Sequence, residues 1–395
     1  MSIEVEESIL DRKSHFNVKR FRLGSLRIER PVKVLDVKVL NARNLIEMFI
    51  ENRILSSPVI ILEHSNLMRA KSVRRVLFER DDDVIKKLFG FRKWMQSYPR
   101  IFSITFTFNP FTVFNTIEDM SGFFEYQHAF SDPVLLVPNV KIDRYEPANN
   151  EKTIIMKIDE YLRFVKEAYE ILNYRNRKPI FVPVSLKFGI NEIIRLAREY
   201  SKREFFYVWF DFEGSAIIEP KIARIRAFLR EFENIERIND IIVFSTNIRR
   251  EIISNPKSER TPSSDVLAPL VGSNLIGVNK EPPRPIELSL IKEKKENELR
   301  EHKARVFDAQ SYYYLKVTAS NYDDKLRREM LDNPRFNILF NSKLLDSEFT
   351  VQTQHFLEEG TIERYVSDKR MIREYREGAL LRNLFPKERT ITDWF

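Results

Sequence analysis

Short apolar runs alternate with segments of helical spacing from about residue 15 to residue 280, and this alternation constrains the fold more than any other feature. Strands are predicted at 59–62, 101–108, 134–137, 180–186, 205–210, 240–244 and 275–278. Helices are predicted at 41–52, 83–97, 152–172, 191–200 and 219–232. Continuous apolar strands that alternate with amphipathic helices are typical of a parallel sheet covered by helices. Together with a first strand after Pro31, the series predicts an α/β fold in which eight strands close into a TIM-like (β/α)8 barrel.

The composition of the chain changes on either side of this region, which suggests four segments. Residues 1–14 are polar, and we expect a flexible N-terminus. Residues 15–286 form the predicted barrel, which begins with a β-hairpin around Gly24. Residues 287–303 are dense in charge and predict a connecting helix. Residues 304–395 mix aromatic strands with helical segments, and we expect a helix-rich α+β extension there.

The amino-acid composition excludes several kinds of chemistry. The 395 residues contain no cysteine, which excludes disulfides, thiolate metal sites and cysteine nucleophiles, and the five histidines have no ligand spacing. We therefore expect no metal and no cofactor. The acidic N-terminus lacks an apolar signal core and no apolar run could span a membrane, so a cytoplasmic protein without membrane contact is expected. The charged fraction of 31% is typical of a thermophile, and the net charge of +8 favours a nucleic-acid partner.

Polar side chains follow several of the predicted strands, and functional groups of parallel α/β barrels collect at these carboxyl ends. Asp211 and Glu213 follow a strongly apolar strand and lie on one side of an extended chain, so they are candidate catalytic carboxylates. Candidate substrate-binding residues end the other strands: Glu63, His64, Asn109, Asn139 and Ser185. A structural alternative stays open, because an aspartate at a strand end often caps a turn and a lone histidine is often structural.

Basic clusters supply candidate phosphate contacts. They lie at Lys71–Arg75, at Arg249 and Arg250, and at Lys369, Arg370 and Arg373. The run Tyr312–Tyr314 could stack on an unpaired base, although such a run is more often part of a half-buried sheet.

Four segments resemble, in order, the landmarks of the tRNA-guanine transglycosylase family. They are LGSLRIERPVKVLDVKVL at 23–40, PVIILEHSNL at 58–67, ITFTFNPFTVF at 104–114 after LFGFRKW at 88–94, and DVLAPLVGSNLIGVNKEPPR at 265–284. The resemblance covers residues 22–284 and implies a barrel that exchanges a guanine-type base, guanine or 7-deazaguanine, in tRNA or DNA.

The chain departs from the pattern of the resembled family at several positions. Thr107 stands where the family has its general acid/base aspartate, and Val278, or Gly277 in the neighbouring register, stands at the nucleophilic aspartate. Neither Val278 nor Gly277 can form the covalent intermediate. The family's zinc site of three cysteines and one histidine cannot exist here. Asn139 corresponds approximately to the base-recognising aspartate, and Ser185 falls near the glutamine that contacts the base.

Three functions therefore remain open. The first is a transglycosylase-like enzyme in which Asp211 or Glu213 replaces the missing carboxylates. The second is a non-catalytic relative that binds nucleic acid, a nucleobase or a partner subunit, as a homo- or hetero-oligomer. The third is a barrel enzyme of unrelated chemistry.

Overall fold

A computed structural model gives the fold for most of the chain. The residues that it describes are 3–11, 13–23, 26–40, 60–68, 70–92, 95, 100–108, 120–146, 151–174, 177–252, 258–280, 304–317, 324–375 and 379–385.

Six parallel strands form the larger sheet. Its order is β4-β16-β14-β13-β12-β8, with bounds Val32–Lys33, Leu275–Ile276, Ile242–Thr246, Tyr207–Asp211, Ile180–Ser185 and Leu135–Leu136. Every neighbouring pair in this sheet is parallel. The predicted parallel pairing of the strands near 180–186 and 205–210 is therefore confirmed.

Four further parallel strands form a second sheet. Its order is β5-β6-β7-β9, with bounds Leu35–Asp36, Ile60–Met68, Arg100–Phe108 and Asn139–Val140. Only Val34 separates β4 from β5, and only Val137 and Pro138 separate β8 from β9. The same two segments of the chain therefore supply an edge strand to each sheet.

Helices connect the strands and bury one face against them. They are α1 (Ala70–Arg74), which continues as a π-helical turn Arg75–Glu79, α2 (Asp82–Leu88), α3 (Ser121–Phe130), α4 (Ile158–Asn173), α5 (Ile190–Lys202) and α6 (Lys221–Glu233). In α4, the buried residues Tyr161, Val165, Ala168 and Leu172 recur every three or four positions, which is the helical repeat. The Asp81 side chain accepts from the backbone N–H groups of Asp83 and Val84 and so begins α2.

Two helix predictions need correction. Residues 152–172 do not form one helix, because Glu151–Ile154 (β11) pairs antiparallel with Asp143–Glu146 (β10) before α4 begins. The helix predicted at 83–97 is shorter, since α2 ends at Leu88. Apolar spacing alone did not distinguish the hairpin from the first turns of the helix. The helix predicted at 41–52 lies outside the described residues.

The N-terminal segment is ordered as a sheet, contrary to our expectation of a flexible terminus over residues 1–14. Glu4–Leu10 (β1) pairs antiparallel with Asn17–Leu23 (β2), which pairs in turn with Leu26–Ile28 (β3). Ile3 hydrogen-bonds the Tyr207 hydroxyl through its backbone, so the terminus is attached to the larger sheet.

The C-terminal region packs against both the loops and the strands. Arg260–Pro262 (β15), Tyr313–Lys316 (β18) and Arg305–Asp308 (β17) form an antiparallel sheet. Two 3₁₀ turns, Asp265–Leu267 and Pro269–Val271, lie between β15 and β16. The remaining helices are α7 (Asp324–Asp332), α8 (Pro334–Glu359), α9 (Glu363–Ser367), α10 (Arg370–Glu374) and α11 (Ala379–Leu384).

Helix α8 attaches this region to the first strand segment. The Asp346 carboxylate accepts hydrogen bonds from the Arg30 guanidinium at 2.8 and 3.1 Å and from the Lys33 backbone N–H at 3.1 Å. None of the helices within the described ranges has the length and apolar character needed to cross a membrane. The predicted connecting helix at 287–303 falls among residues that the structure does not describe.

Candidate functional site

Glu63 lies in the middle of β6 with its carboxylate fully buried. Its Oε1 accepts hydrogen bonds from the hydroxyls of Thr105 and Thr246, both at 2.6 Å. Its Oε2 accepts from the Thr246 hydroxyl and from the Val278 backbone N–H, both at 2.8 Å. Burial raises the pKa of Glu63 above its usual range, while these hydrogen bonds act in the opposite direction. A carboxyl group with a raised pKa is suited to take up and release a proton.

Gly277 explains why the Glu63 carboxylate can reach the backbone of Val278. A Cβ atom at position 277 would overlap both the Glu63 carboxylate and the Thr246 side chain. Glu63 therefore fills the space into which a side chain at 277 would project, although it comes from a strand on the other sheet.

Asp211 ends β13 and is 1% exposed. Its Oδ2 accepts hydrogen bonds from the Thr107 hydroxyl at 2.9 Å and from the Asn139 amide at 3.0 Å. Its Oδ1 accepts from the Asn247 amide and from the Glu213 backbone N–H, both at 2.9 Å. An ionised carboxylate offers about four acceptor positions and no donor, so these four donors match the charged form of Asp211.

The two carboxylates lie on one side of β7. Thr105, which binds Glu63, and Thr107, which binds Asp211, are two residues apart and share a face of the strand. Their α-carbons are about 7 Å apart along an extended strand. The predicted catalytic residue Asp211 and the predicted substrate-binding residue Glu63 are thus brought together.

Asn139 joins this network with both ends of its amide. Its Nδ2 donates to Asp211, and its Oδ1 accepts from the Tyr161 hydroxyl at 2.8 Å. On the other side of Asp211, the side-chain Oδ1 of Asn247 accepts from the Ser65 hydroxyl at 2.7 Å. The network therefore contacts both sheets and the helix α4.

Glu213 and Ser185 lie beside this network. Glu213 Oε2 is 2.9 Å from the Lys187 ammonium, while Glu213 Oε1 and the Ser185 hydroxyl are buried and have no hydrogen-bond partner among the residues that the structure describes. Burial and, next, the Asp211 charge raise the pKa of Glu213, whereas Lys187 opposes the shift. Ser185 is paired with Asp211 in the β12–β13 register, so both end adjacent strands.

His64 is not brought to this cluster. His64 follows Glu63 and points to the opposite face, where its Nε2 is 2.9 Å from the carbonyl oxygen of Leu88 at the end of α2. Burial lowers the pKa of His64 to about 3, so the ring is neutral and donates to Leu88. Asn109 lies outside the described residues.

The tyrosine run belongs to the core. Tyr312 and Tyr314 are fully buried, and the Tyr314 hydroxyl donates to both oxygens of Asp265 at 3.1 Å. Buried rings cannot stack on a base, so the structure agrees with the sheet that the sequence favoured for this run. Two of the basic clusters also use their charges internally, because Arg250 pairs with Glu251 and Lys369 donates to the Ala309 carbonyl oxygen at 2.9 Å.

Sequence reasoning missed four residues of the cluster: Thr105, Thr246, Asn247 and Lys33. Lys33 Nζ donates to the carbonyl oxygen of Gly277 and to Asn279 Oδ1 at 3.1 Å, and so holds the segment whose N–H contacts Glu63. The signal for Thr105 and Thr246 was their polarity within otherwise apolar strands. Lys33 is a charged residue in a two-residue buried strand, which was a comparable signal.

Across the residues that the structure describes, no group of three or more histidine or acidic side chains could hold a metal ion. No protein-family model matches the sequence. No curated protein matches it either.

Proposed function

We propose that this chain is a transglycosylase-like protein that exchanges a guanine-type base in nucleic acid, tRNA or DNA, at the carboxyl ends of a closed eight-stranded barrel. Two observations support the closed barrel. The two parallel sheets share both edge segments, and a small hydrophobic cluster draws at least one buried residue from each strand of the larger sheet and one from β6 of the smaller sheet, including Val32, Leu136, Phe181, Trp209, Ile242, Leu275 and Ile61. The interior of a closed barrel is filled in this way, by one or two buried side chains from each strand.

The observation that carries the proposal is the position of the two buried carboxylates. In the resembled family, the residues at Thr107 and at Val278 or Gly277 would be aspartates. Here Asp211 accepts a hydrogen bond from Thr107, and Glu63 accepts one from Val278 and fills the space above Gly277. At both positions where the family has an aspartate and this chain does not, a carboxylate from another strand therefore lies beside the residue.

The surroundings of the two groups suit different roles. The raised pKa of Glu63 suits a proton donor and acceptor. The four donors around Asp211 hold its carboxylate in place, which suits a group that faces the charge developing at the anomeric carbon. In the proposed exchange, the bond between the anomeric carbon and the base breaks as Glu63 gives its proton to the leaving base. The incoming base then bonds to the same carbon and returns a proton to Glu63.

Incorporation of labelled guanine into tRNA and into duplex and single-stranded DNA tests this proposal. The unmodified protein should incorporate label into at least one substrate, and Asp211→Asn and Glu63→Gln should each lose activity at least about a hundredfold. Asp240→Asn is the control, because Asp240 is a partly exposed carboxylate that pairs with Arg237. Full activity in Asp211→Asn or Glu63→Gln would remove that residue from the chemistry.

A second function, base or nucleic-acid binding without catalysis, is favoured by a separate observation. Asp211 and Asn139 direct their hydrogen bonds to each other and to neighbouring side chains, as in a structural network. No incorporation by the unmodified protein with any of these substrates, together with measurable binding of one of them, would favour this second function.

A further inference from the structure

The helical segment that follows β6 carries an exposed aromatic ring next to exposed cations. Phe78 is 78% exposed, a high value for a phenylalanine. Lys71 and Arg74 are also exposed on the same segment. Helical residues three or four apart lie next to each other on the surface, so Arg74 is a neighbour of both Lys71 and Phe78.

Lys71 and Arg74 differ in their contacts from the neighbouring Arg75. Arg75 forms an ion pair with Glu79 at 3.0 Å, whereas Lys71 and Arg74 contact no carboxylate within the described part of the chain. The buried face of the segment, with Val73 and Val76, attaches it to the fold, and the opposite face is exposed. An exposed ring beside two uncompensated positive charges is complementary to a base and its phosphates.

We infer that Lys71, Arg74 and Phe78 form a surface that binds single-stranded nucleic acid, with an unpaired base stacked on Phe78 and the adjacent phosphates on Lys71 and Arg74. The inference rests on the proposed function for the identity of the partner and extends it to a contact outside the strand ends. Lys71 and Phe78 are about 10 Å apart along the helical axis, so neighbouring nucleotides can reach both. The segment begins at Ala70, directly after the strand that carries Glu63.

Binding of short fluorescein-labelled single-stranded oligonucleotides, one DNA and one RNA of the same sequence, tests the aromatic part of the surface. Phe78→Ala should weaken binding of at least one of them by about fivefold or more, and Phe78→Trp should retain it. Ile154→Ala is the matched control, because Ile154 is a 69% exposed apolar residue elsewhere. Equal affinities for Phe78→Ala and the unmodified protein would overturn the inference. Unchanged melting temperatures would show that the variants are folded.

The electrostatic part has its own matched control. Lys71→Ala with Arg74→Ala should make the plot of log affinity against log salt concentration less steep by about 1.4, for two single-strand phosphate contacts. Lys325 and Arg328 on α7 have the same spacing and are exposed, so Lys325→Ala with Arg328→Ala removes the same charge elsewhere. Equal effects of the two double variants would contradict a local surface. These outcomes are independent of base exchange: lost binding with no exchange in any variant would retain the surface and reject the enzyme.

Discussion

Glu63 and Gly277 are mutually dependent: the carboxylate of one occupies the space that any side chain at the other would need. The contact joins the middle of β6 to the end of β16, two strands that belong to different sheets. It also leaves the Val278 N–H free to donate to Glu63 at 2.8 Å. A glycine is therefore required at 277 for close approach of two groups, and the buried carboxylate depends on it.

Gly277→Ala should destabilise the protein by about 1–3 kcal/mol, because the added methyl group would displace Glu63 or Thr246 within a packed interior. Urea unfolding measures the change. Gly122→Ala is the control, since a Cβ at 122 would meet only Leu77 Cδ2 at 3.5 Å and the position is helical. An unchanged stability for Gly277→Ala would mean that the Glu63 carboxylate is not held where the structure has it.

Two buried histidines make stability depend on pH. The pKa of both His15 and His64 falls from 6.5 to about 3, mainly through burial. Between these values the unfolded state binds more protons than the folded state, so stability rises with pH and is lost as pH falls from 6.5 toward 3.

Each of these histidines should contribute up to about 1.4 kcal/mol per pH unit in that window. His64→Gln should therefore reduce the slope of the free energy of unfolding against pH by nearly one proton, measured by urea unfolding from about pH 6 to about pH 4. The same slope in His64→Gln and in the unmodified protein would show that His64 is accessible to protons in the folded state.

The bond from Tyr314 to Asp265 should stabilise the attachment of the C-terminal sheet. Tyr314→Phe removes a donor that lies 3.1 Å from both oxygens of a fully buried carboxylate, and should cost about 1–2 kcal/mol in thermal or urea unfolding. Tyr313→Phe is the matched control, because its hydroxyl donates at 3.2 Å to the partly exposed Glu374 and should matter less. Equal losses in both variants would contradict the special role of Asp265.

The sequence predicted the strand that ends at Asp211 within two residues of its observed bounds, because that strand is a continuous apolar run. It did not predict the hairpin at 143–154, because Glu151–Ile154 precedes α4 without a break in apolar spacing. Asp211 was identified as the polar end of an apolar strand, whereas Glu63, taken as the end of a strand at 59–62, lies inside β6, which continues through polar residues to Met68. Their contact with Thr107 and Val278 depends on pairing between distant strands, which spacing along one chain does not encode.

His64 is a second residue whose contacts could not be predicted from its position in the sequence. Its position beside Glu63 suggested a joint role, but adjacent residues of a strand point to opposite faces, and His64 contacts Leu88 instead. The absence of any matching family model or curated protein leaves the resemblance to the transglycosylases as the basis of a proposal. The two carboxylates supply its physical support.

A crystal structure of the protein soaked with guanine or a 7-deazaguanine at saturating concentration tests the central claim most directly. The account predicts density for a planar base among Glu63, Asn139 and Asp211, with at least one of the hydrogen bonds from Thr107 and Asn139 to Asp211 replaced by a bond to the base. Density for the base only elsewhere, or none at all, with the network around Asp211 unchanged, would contradict it.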